Sequence, residues 1–327
     1  MAARPRLKPH ARVLRRGRGA LQVGMASDAG VVLEGLSEAE MALVARLDGS
    51  LDLPALDALA ARTGVAPGRV AGLLRALRER HLLLDLPTDR AFLGDLGASR
   101  RAALRPDADA LAAAYRLPGD GYALLAARRR QHVVVSGEGA LPQALASLLR
   151  AGGVGRVDAG PVAAEALDLD LRHDPGARVP QLVVLAAAGA LASETGAPWL
   201  RRAVAQLPVV VQGHRVLVGP LVVPGRGPCL RCLDLHRCDR DPAWPALLSQ
   251  LAPPGPGLPA PAVTPETTLT AVGAGLCAMV ALTALDGQLV PHGVSLEVSL
   301  PWPRVAERHW PAHPLCGCPG AQDTMAR

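Results

Sequence analysis

The apolar residues in the first quarter of the chain change from a strand-like to a helix-like spacing. Two short apolar runs, 12–14 and 20–25, flank the turn residues 17–19 and predict a β-hairpin. Val31–Glu34 predicts a third strand, and 81–86 predicts a short fourth one. The residues between the last two strands have the spacing of helices, so we expect one small domain of strands and helices.

Three short helices are predicted in that interval. Ser37 and Glu40 form a capping box, and the helix that they begin should end near Gly49. Apolar residues at helical spacing predict a second helix that stops at Gly64 and a third that begins at Pro67. The faces expected to be buried carry Leu56, Leu59, Ala60, Val70, Leu73, Leu74 and Leu77. Strands combined with three short helices predict a winged helix-turn-helix.

A winged helix-turn-helix domain, here residues 1–87, has two common uses. One is DNA binding through the third helix, which here carries Arg69, Arg75, Arg78 and Arg80. The other is peptide capture, because the fold resembles the PqqD-like recognition elements that hold leader peptides of ribosomally made natural products. A third interpretation is that these arginines only keep the helix soluble. The domain by itself leaves all three open.

A second domain is predicted over 129–327, after a helical connector over 88–128 with a helix at 105–117. It opens with the buried strand His132–Ser136, which is followed by a glycine-containing turn and an apolar helix. A second strand begins at Arg156. This βαβ order predicts a Rossmann-like α/β domain.

The turn of that unit carries a weak nucleotide-binding signal. Gly137 and Gly139 form a Gly-x-Gly pair, and Asp158 follows about 20 positions later, as in dinucleotide-type pockets. Pro142 occupies the position of the third glycine, although a first helical turn tolerates proline. The fold is therefore predicted more strongly than the ligand.

The rest of the second domain predicts ordinary elements and one irregular segment. Residues 252–264 are too rich in proline and glycine for regular structure. A packing helix is expected at 270–285 and a strand at 293–300. Trp244, Trp302 and Trp310 are expected to be core residues or partner contacts, with the core favoured.

Charge and composition add little to this picture. The formal net charge is +6, but Lys8 is the single lysine among 35 basic residues and the chain has no isoleucine or asparagine. That bias is typical of a GC-rich genome, so the arginine excess is weak evidence for phosphate binding. Basic runs at 4–18 and 128–130 are expected to be solvated surface patches, and a nucleic-acid partner is not favoured.

Nothing in the sequence predicts export or a membrane span. No apolar segment follows the basic N-terminal residues, and the uncharged apolar runs at 182–192 and 272–285 are shorter than the ~18–20 residues that a span needs. We therefore expect a cytoplasmic protein with reduced thiols. In that compartment six cysteines are expected to be metal ligands or core residues.

The spacing of four cysteines predicts a metal site. Cys229 and Cys232 form a C-x-x-C pair, and Cys316 and Cys318 form a second close pair separated by Gly317. Two such pairs supply the four thiolates of a tetrahedral structural zinc site. A redox C-x-x-C is the competing interpretation, but it assigns no role to the second pair. Two further residues lie outside the set: Cys277 is expected in the core, and Cys238 is an incidental or a reactive thiol.

The order of these motifs resembles a known family. The Gly-x-Gly βαβ unit, the Pro228-Cys229 knuckle and the terminal cysteine pair resemble the ThiF/MoeB-like branch of ubiquitin-activating-type adenylyltransferases. Residues 218–224 and 239–245 are similar to the zinc-bearing, leader-binding component of thiazole/oxazole-forming cyclodehydratases, which is widespread in actinobacteria. The N-terminal winged domain belongs to the same architecture. The resemblance covers most of the chain and favours peptide binding over DNA binding.

The same comparison shows where this sequence departs from active members of the family. An active member has Asp-x-Asp after its second strand and then Asn-x-x-Arg-Gln, but here Asp158 is followed by Ala159 and Gly160. Residues 186–189 are Ala-Ala-Ala-Gly where the family places a metal-binding aspartate. Adenylation needs cations that neutralise the charge developing on ATP. We therefore expect only a vestigial nucleotide pocket at Gly137, Gly139 and Asp158, without productive ATP binding.

The resemblance implies a peptide-binding scaffold that is not an enzyme on its own. It implies a groove for a precursor or leader peptide, formed by Val31, Leu33, Arg69, Leu73 and Arg75. It also implies a separate YcaO-type protein that carries out the ATP-dependent cyclodehydration, and a homodimeric state. Three alternatives remain at this point: an active ThiF-like adenylyltransferase, a peptide scaffold outside natural-product biosynthesis, and a winged-helix DNA-binding regulator.

Overall fold

The structure is a computed structural model that describes residues 4–25, 30–84, 97–174, 176–251 and 261–318. The chain divides into two compact units, Met1–Ala126 and Ala127–Arg327. Each unit has its own hydrophobic core.

The first unit contains a small sheet and three short helices, as the hydrophobic pattern predicts. The antiparallel sheet has the order β1-β2-β3. Its strands are β1 (Val13–Gly17), β2 (Ala20–Val23) and β3 (Val31–Glu34), and the helices are α1 (Glu38–Ala45), α2 (Leu53–Arg62) and α3 (Arg69–Glu79). The capping box at Ser37 and Glu40 is confirmed, because both reciprocal hydrogen bonds are present.

Helix α1 ends at Ala45, before the predicted end near Gly49. The reason is a long-range contact that the local pattern does not contain. The carbonyl of Leu47 accepts a hydrogen bond from the main-chain N–H of Leu7 at 2.8 Å, and Asp48 forms a bridge with Arg6. These residues leave the helix in order to pair with the N-terminal segment.

The fourth strand predicted at 81–86 is wrong for the part that the structure describes. Residues 81–84 form one isolated bridge, between Leu83 and Leu7, and residues 85 and 86 lie outside the described part of the chain. His81 has a φ of 56°, which turns the chain after α3. Two main-chain hydrogen bonds hold this bridge, from the N–H of Lys8 to the Leu82 carbonyl at 2.9 Å and from the N–H of Leu84 to the Arg6 carbonyl at 2.8 Å.

Two further helices, α4 (Ala98–Ala114) and α5 (Tyr122–Arg128), occupy the predicted connector and lie largely within the first unit. Helix α4 begins well before the predicted start at 105 and contains Pro106 in its interior. The two helices share a small core of Leu104, Ala108, Leu125 and Ala126. Packing on this face supports the helix despite the main-chain hydrogen bond that a proline removes.

The second unit is built on a seven-stranded mixed sheet with the order β10-β9-β8-β7-β6-β4-β5. Four neighbouring strands are parallel, namely β4 (His132–Ser136), β5 (Arg156–Gly160), β6 (Leu182–Ala188) and β7 (Ala205–Gln212). The antiparallel strands are β8 (Arg215–Val218), β9 (Val294–Ser299) and β10 (Arg304–His309). The helices are α6 (Ala140–Ala151), α7 (Ala163–His173), α8 (Ser193–Arg201), α9 (Leu230–Arg240), α10 (Trp244–Leu251) and α11 (Thr267–Leu285).

Helices cover both faces of this sheet, as in a Rossmann-like fold. Val133 and Val135 belong to the core formed with α6 and α11, whereas Val134 belongs to the core on the opposite face. Successive strand residues point to opposite faces, so a run of apolar residues is required where both faces are covered. Cys277 lies in the core formed with α6 and α11 and has no exposed surface, which confirms its expected position in the core.

Arg128 corrects the prediction that the run 128–130 is a solvated patch. Its side chain is buried, and its Nε and Nη2 atoms bind the two carboxylate oxygens of Asp286 at 2.7 and 2.6 Å. A third bond of 2.9 Å runs to the carbonyl of Gly152. The charge is therefore paired inside the second unit, where loss of either partner would leave the other one buried and unpaired.

Helix α11 corrects the expectation that the apolar runs of this chain are too short to span a membrane. It has 19 residues with a mean hydropathy of 1.9, which is long and apolar enough to cross a membrane by length and composition alone. The apolar run at 272–285 is extended by uncharged residues from Thr267 onward. Leu269, Ala274, Cys277 and Ala281 pack into the core, and 33% of the 18-residue window that has this hydropathy is buried.

The tryptophans differ in exposure. Trp310 is 5% exposed and donates from Nε1 to the Ser295 hydroxyl at 2.9 Å. Trp302 lies between β9 and β10 and is 81% exposed, so the preference for a core position is wrong for this residue. Strand β9 agrees with the predicted strand, whereas β8 and β10 had not been predicted.

Candidate metal centre and glycine-turn cleft

Four cysteine sulfurs converge at the start of α9. The Sγ atom of Cys229 lies 3.8 Å from that of Cys232 and 3.5 Å from that of Cys316. The Sγ atom of Cys232 lies 3.5 Å from that of Cys318. All four sulfurs lie within 4.8 Å of one another, so the structure brings the complete predicted ligand set together.

These distances fit a tetrahedral metal with thiolate ligands. A zinc–sulfur bond of about 2.3 Å in tetrahedral geometry places the sulfurs about 3.8 Å apart. A disulfide would need sulfurs about 2.05 Å apart. Because both members of the C-x-x-C pair also have a sulfur neighbour from the second pair, the arrangement favours a metal centre over a redox pair.

The local structure explains why these residues meet. Cys229 is the N-cap of α9, and Cys232 lies in its first turn, where main-chain N–H groups and the helix dipole stabilise negative charge. Gly317 has a φ of +68°, a conformation that glycine adopts without strain, and it turns the chain between the second pair of cysteines. A helix start and a glycine turn thus supply two sulfurs each.

The cysteines are held as a largely buried cluster. A hydrogen bond with Cys229, together with burial, raises the pKa of the Cys232 thiol to about 12. Burial and the neighbouring Cys232 thiol raise the pKa of Cys316 to about 11. Both thiols keep their protons at neutral pH until a cation displaces them, so metal binding releases protons and strengthens as the pH rises.

A cavity of about 380 Å³ adjoins this cluster. The first turns of α8 and α9 form its walls, and Cys316–Cys318 close one side. The buried side chain of Gln206 also lines it. This cavity lies beside the four cysteines and does not include residues of the glycine turn.

The glycine turn between β4 and α6 is filled by the chain itself. The main-chain N–H of Ala140 donates to the Thr264 hydroxyl at 3.1 Å, and that of Leu141 donates to the Val263 carbonyl at 3.2 Å. The N–H of Val263 in turn donates to the carbonyl of Glu138. N–H groups at a helix N-terminus are the ones that a phosphate uses. Here residues 263 and 264 already occupy two of them.

Close packing accounts for both glycines of the turn. Gly139 has a φ of +114°, and a Cβ atom there would lie 2.6 Å from the Thr264 hydroxyl and 2.8 Å from the Val263 nitrogen. A Cβ atom at Gly137 would lie 2.9 Å from that of Ala186. The glycines are thus required by neighbouring chain segments, whether or not a ligand binds.

The cleft next to the turn is small and acidic. Its volume is about 110 Å³, below the ~300 Å³ of ordinary ligand pockets. Glu138 and Glu165 are its charged residues, and the described residues that line it include no arginine or lysine. Glu165 accepts a hydrogen bond of 3.1 Å from the Ser136 hydroxyl. Triphosphate binding would place like charges together without a compensating cation.

Asp158 lies outside the residues that line this cleft. Its carboxylate binds Nε2 of His132 at 2.9 Å and Nη2 of Arg156 at 2.8 Å. Burial alone would raise the pKa of Asp158, but the hydrogen bonds from Arg156 and His132 outweigh that effect and lower it. Of the three residues predicted for a vestigial pocket, only Gly137 lines the cleft.

In the first unit, β3 forms one edge of the described sheet. It pairs with β2 on one side, and the sheet continues from there to β1. The exposed side chains of β3 are Val32, which is 39% exposed, and Glu34. An edge strand of this kind presents N–H and C=O groups that a further strand can bind.

The predicted groove residues fall into three groups. Leu33 and Leu73 are buried in the core, while Val31 is half-buried. Arg69 forms an ion pair with Glu40 through Nε and reaches the carbonyl of Gly35 at 3.5 Å. Arg75 lies on the exposed side of α3. The pKa of Glu40 is lowered mainly by the hydrogen bond that its carboxylate accepts from the Ser37 N–H. The ion pair with Arg69 lowers this pKa further.

One cluster beside the metal centre was missed by sequence reasoning. His236, Asp239 and His313 bring their ligand atoms within 4.8 Å of one another. His236 and Asp239 follow Cys232 at helical spacing, and this spacing was the available signal. Their contact with His313 depends on the tertiary fold.

No protein-family model and no curated protein matches the sequence. Solved structures do match its fold. A heterocyclase in complex with substrate and cofactor is 16% identical, with a TM-score of 0.64, over 97% of this chain and 40% of that one. Escherichia coli MccB crystallised with MccA-N7isoASN is 12% identical, with a TM-score of 0.65, over 97% and 99%. The heterocyclase TruD is 16% identical, with a TM-score of 0.61, over 98% and 43%.

The chain has the fold of these proteins. At 12–16% identity this likeness shows a shared fold, which agrees with the fold expected from the sequence motifs. The chain spans about two fifths of the two heterocyclases but nearly the whole of MccB. The mixed sheet with helices on both faces agrees with a Rossmann-like second unit.

Proposed function

We propose that this protein is a peptide-binding scaffold in the maturation of azole-containing peptides. The observation that carries the proposal is the shared fold over nearly the whole chain with MccB and with heterocyclases. The scaffold would hold a precursor peptide and present it to a separate YcaO-type, ATP-using cyclodehydratase. The fold alone does not give the activity, so the argument rests on what each part of the chain can do.

The first unit would bind the leader part of the peptide as a winged helix of the PqqD-like kind. The open edge of β3 supports this, because an extended peptide can add a strand there through main-chain hydrogen bonds. Neighbouring side chains would then select the sequence. Val32 is the apolar candidate on the exposed face, and Arg75 is the charged one. Leu33 and Leu73 would support the groove from the core.

Arg69 has a different role in this proposal from that expected from the sequence. Its pairing with Glu40 ties α3 to the capping box of α1, so its charge is already engaged. A change at Arg69 would weaken the domain as well as any peptide contact. Arg75 is therefore the better probe of recognition.

The second unit would act as a pseudoenzyme. A Mg²⁺-bound triphosphate needs space, positive charge and free N–H groups at the glycine turn. The cleft there is small and lined by acids, and Val263 and Thr264 take two of the N–H groups. These three features weigh against an active adenylyltransferase and leave the chemistry to the partner protein.

The four cysteines would hold one structural zinc. A d¹⁰ cation with thiolate ligands accepts tetrahedral geometry and contributes its binding energy to folding. With all four positions filled by protein, such a site stabilises the chain and does not activate water. It would join the start of α9 to the segment that contains Cys316 and Cys318.

The test compares peptide and DNA binding by the full-length protein. A fluorescent precursor peptide encoded in the same gene neighbourhood should bind, as measured by anisotropy. Val32→Glu and Arg75→Glu should each weaken binding about 5-fold or more, because edge pairing and rim charge both contribute. Leu53→Glu is the matched control, since Leu53 is 37% exposed but lies on α2.

Duplex DNA serves as the second ligand in that assay, at two salt concentrations. Arginine contacts with phosphates would give an affinity that falls steeply with salt. Tight, salt-sensitive duplex binding without peptide affinity would contradict the scaffold proposal and support a DNA-binding regulator. Peptide binding without a cyclodehydratase gene in the neighbourhood would support a scaffold outside natural-product biosynthesis.

A further inference from the structure

Three side chains form a network next to the cysteine cluster. The carboxylate of Asp239 lies 2.9 Å from Nε2 of His313 and 4.0 Å from Nδ1 of His236, measured to Oδ2. His236 and Asp239 belong to α9, whereas His313 belongs to the segment that leads to Cys316. The rings of His236 and His313 meet edge to face, with centroids 4.7 Å apart.

The hydrogen bonds decide against a second metal site here. Nδ1 of His313 accepts a hydrogen bond from the N–H of Leu315 at 3.1 Å, so the proton of the neutral ring is on Nε2. That proton is donated to Asp239. Nε2 of His236 donates to the carbonyl of Pro311 at 2.9 Å. Two of the three side chains thus already use the atoms that a shared cation would need.

His313 is instead a junction between α9 and the second cysteine pair. It is 3% exposed, and its ring binds Asp239 of α9, the helix that also carries Cys232. Its carbonyl accepts a hydrogen bond of 2.9 Å from the N–H of Cys316. Together with the bond from the Leu315 N–H to the ring, these contacts place His313 between α9, which begins at the first cysteine pair, and Cys316 of the second pair.

Residues at three- and four-residue spacing lie on one side of α9. Cys229, Cys232, His236 and Asp239 follow this spacing, so the cysteines and the two anchoring residues face the same chain segment. The first pair would bind the metal, whereas His236 and Asp239 bind Pro311 and His313. Helix α9 therefore contacts the segment 311–318 both at its cysteines and, further along the helix, at His236 and Asp239.

We infer that Asp239 and His236, acting through His313 and Pro311, position Cys316 and Cys318 and thereby set the affinity of the metal centre. The inference rests on the metal site proposed above. Without this anchor, metal binding would also have to order the segment that carries two of the ligands. Outer contacts of this kind typically change metal affinity by about 10- to 100-fold.

The experiment measures zinc affinity of full-length variants by competition with a chelator. Asp239→Ala should lower the affinity about 10-fold, and Asp239→Asn should lower it less, because its amide oxygen can still accept the His313 proton. Asp241→Ala is the matched control, since Asp241 is another exposed carboxylate at the same helix end whose side chain binds the N–H of Ala243. Its affinity should equal that of the wild type.

Cobalt substitution separates positioning from simple unfolding. The Asp239→Ala protein saturated with Co²⁺ should keep the thiolate charge-transfer bands of a four-sulfur site while needing more metal for half-saturation. Equal affinities of the wild type, Asp239→Ala and Asp241→Ala would overturn the inference and leave the metal site intact. A wild type that binds no zinc would overturn the metal site itself, and binding of two equivalents would show that the His–Asp network is a second site.

Discussion

The candidate metal centre and the glycine turn are both predicted by sequence motifs, the cysteine set being the stronger signal, and the two sites differ in how the fold arranges their residues. At the candidate metal centre, three pairs among the four sulfurs lie 3.5–3.8 Å apart and all four lie within 4.8 Å of one another, close to the spacing around a tetrahedral ion. At the glycine turn, Thr264 and Val263 bind the N–H groups that a phosphate would use. The cysteine motif thus has the geometry that its proposed ligand needs, whereas two N–H groups of the glycine motif are bound by the chain itself.

The difference follows from how many independent groups each site needs. A tetrahedral thiolate site needs four side chains from two short segments, and its distances depend on local turns such as the one at Gly317. A nucleotide site needs an empty volume, a cation and charges contributed by several strands and loops. Substitution of a few of those groups removes the function, while the glycines remain because Val263 and Ala186 pack against them.

The largest effect should come from removing a cysteine ligand. The wild type should contain one zinc per chain, whereas Cys229→Ser and Cys316→Ser should lose most of it. Metal binding contributes to folding, so each substitution should cost about 3–5 kcal/mol and lower Tm by ~10 °C. Metal analysis and calorimetry provide the two measurements.

Cys238→Ser is the control for that series. Cys238 lies on the same helix, is half-buried and does not belong to the four-sulfur cluster. It should retain one zinc and the wild-type Tm. Folded protein with an unchanged Tm and no metal in the wild type would refute the structural role of the cluster.

A smaller effect should come from filling the glycine turn. Gly139→Ala should destabilise the protein by about 2–4 kcal/mol, because it combines a positive φ with a clash against main-chain atoms of Val263. Gly225→Ala is the matched control, with a φ of +79° and no neighbour within 4 Å of the added carbon. It should cost about 1 kcal/mol from the backbone conformation alone.

Urea unfolding of the two variants compares a positive-φ glycine packed against Val263 with a positive-φ glycine in open space. Equal losses for Gly139→Ala and Gly225→Ala would mean that the segment at 263–264 moves away freely. The turn would then be an open site covered by a weakly held segment. A clear excess at Gly139 supports a permanently filled turn.

Local sequence patterns predicted the elements well where local interactions decide them. The capping box at Ser37, the strand His132–Ser136 and the cysteine set depend on neighbouring residues or on a fixed spacing, and the structure contains them. The end of α1 was wrong, and the described residues 81–84 of the strand expected at 81–86 form only a bridge, because both regions depend on pairing with Arg6 and Leu7. Such pairing over long sequence separations leaves no periodic signal.

Charges were harder to place than apolar residues. Arg128 resembled a surface residue, but its partner Asp286 is distant in the sequence. Arg69 was assigned to a peptide and is bound by Glu40. Likewise, the contact of Asp239 with His313 could not be predicted, since it requires α9 to meet a segment far along the chain. In each case the partner is known only from the fold.

The smallest expected effect is the absence of ATP binding. Titration calorimetry with millimolar ATP and Mg²⁺ should show no saturable heat, and pyrophosphate exchange should be absent.

Thr264→Ala would free the N–H of Ala140 but leave the Val263 carbonyl on Leu141 and the carboxylates of Glu138 and Glu165 in the cleft. This variant should therefore also fail to bind, since one free N–H group does not offset two negative charges next to a triphosphate. Adding Glu165→Gln to Thr264→Ala reduces that repulsion and is the variant in which weak binding would first be expected. Exchange activity in the wild type that is lost in Asp158→Asn would favour the adenylyltransferase alternative, because Asp158 would then reach the nucleotide despite its bonds to His132 and Arg156.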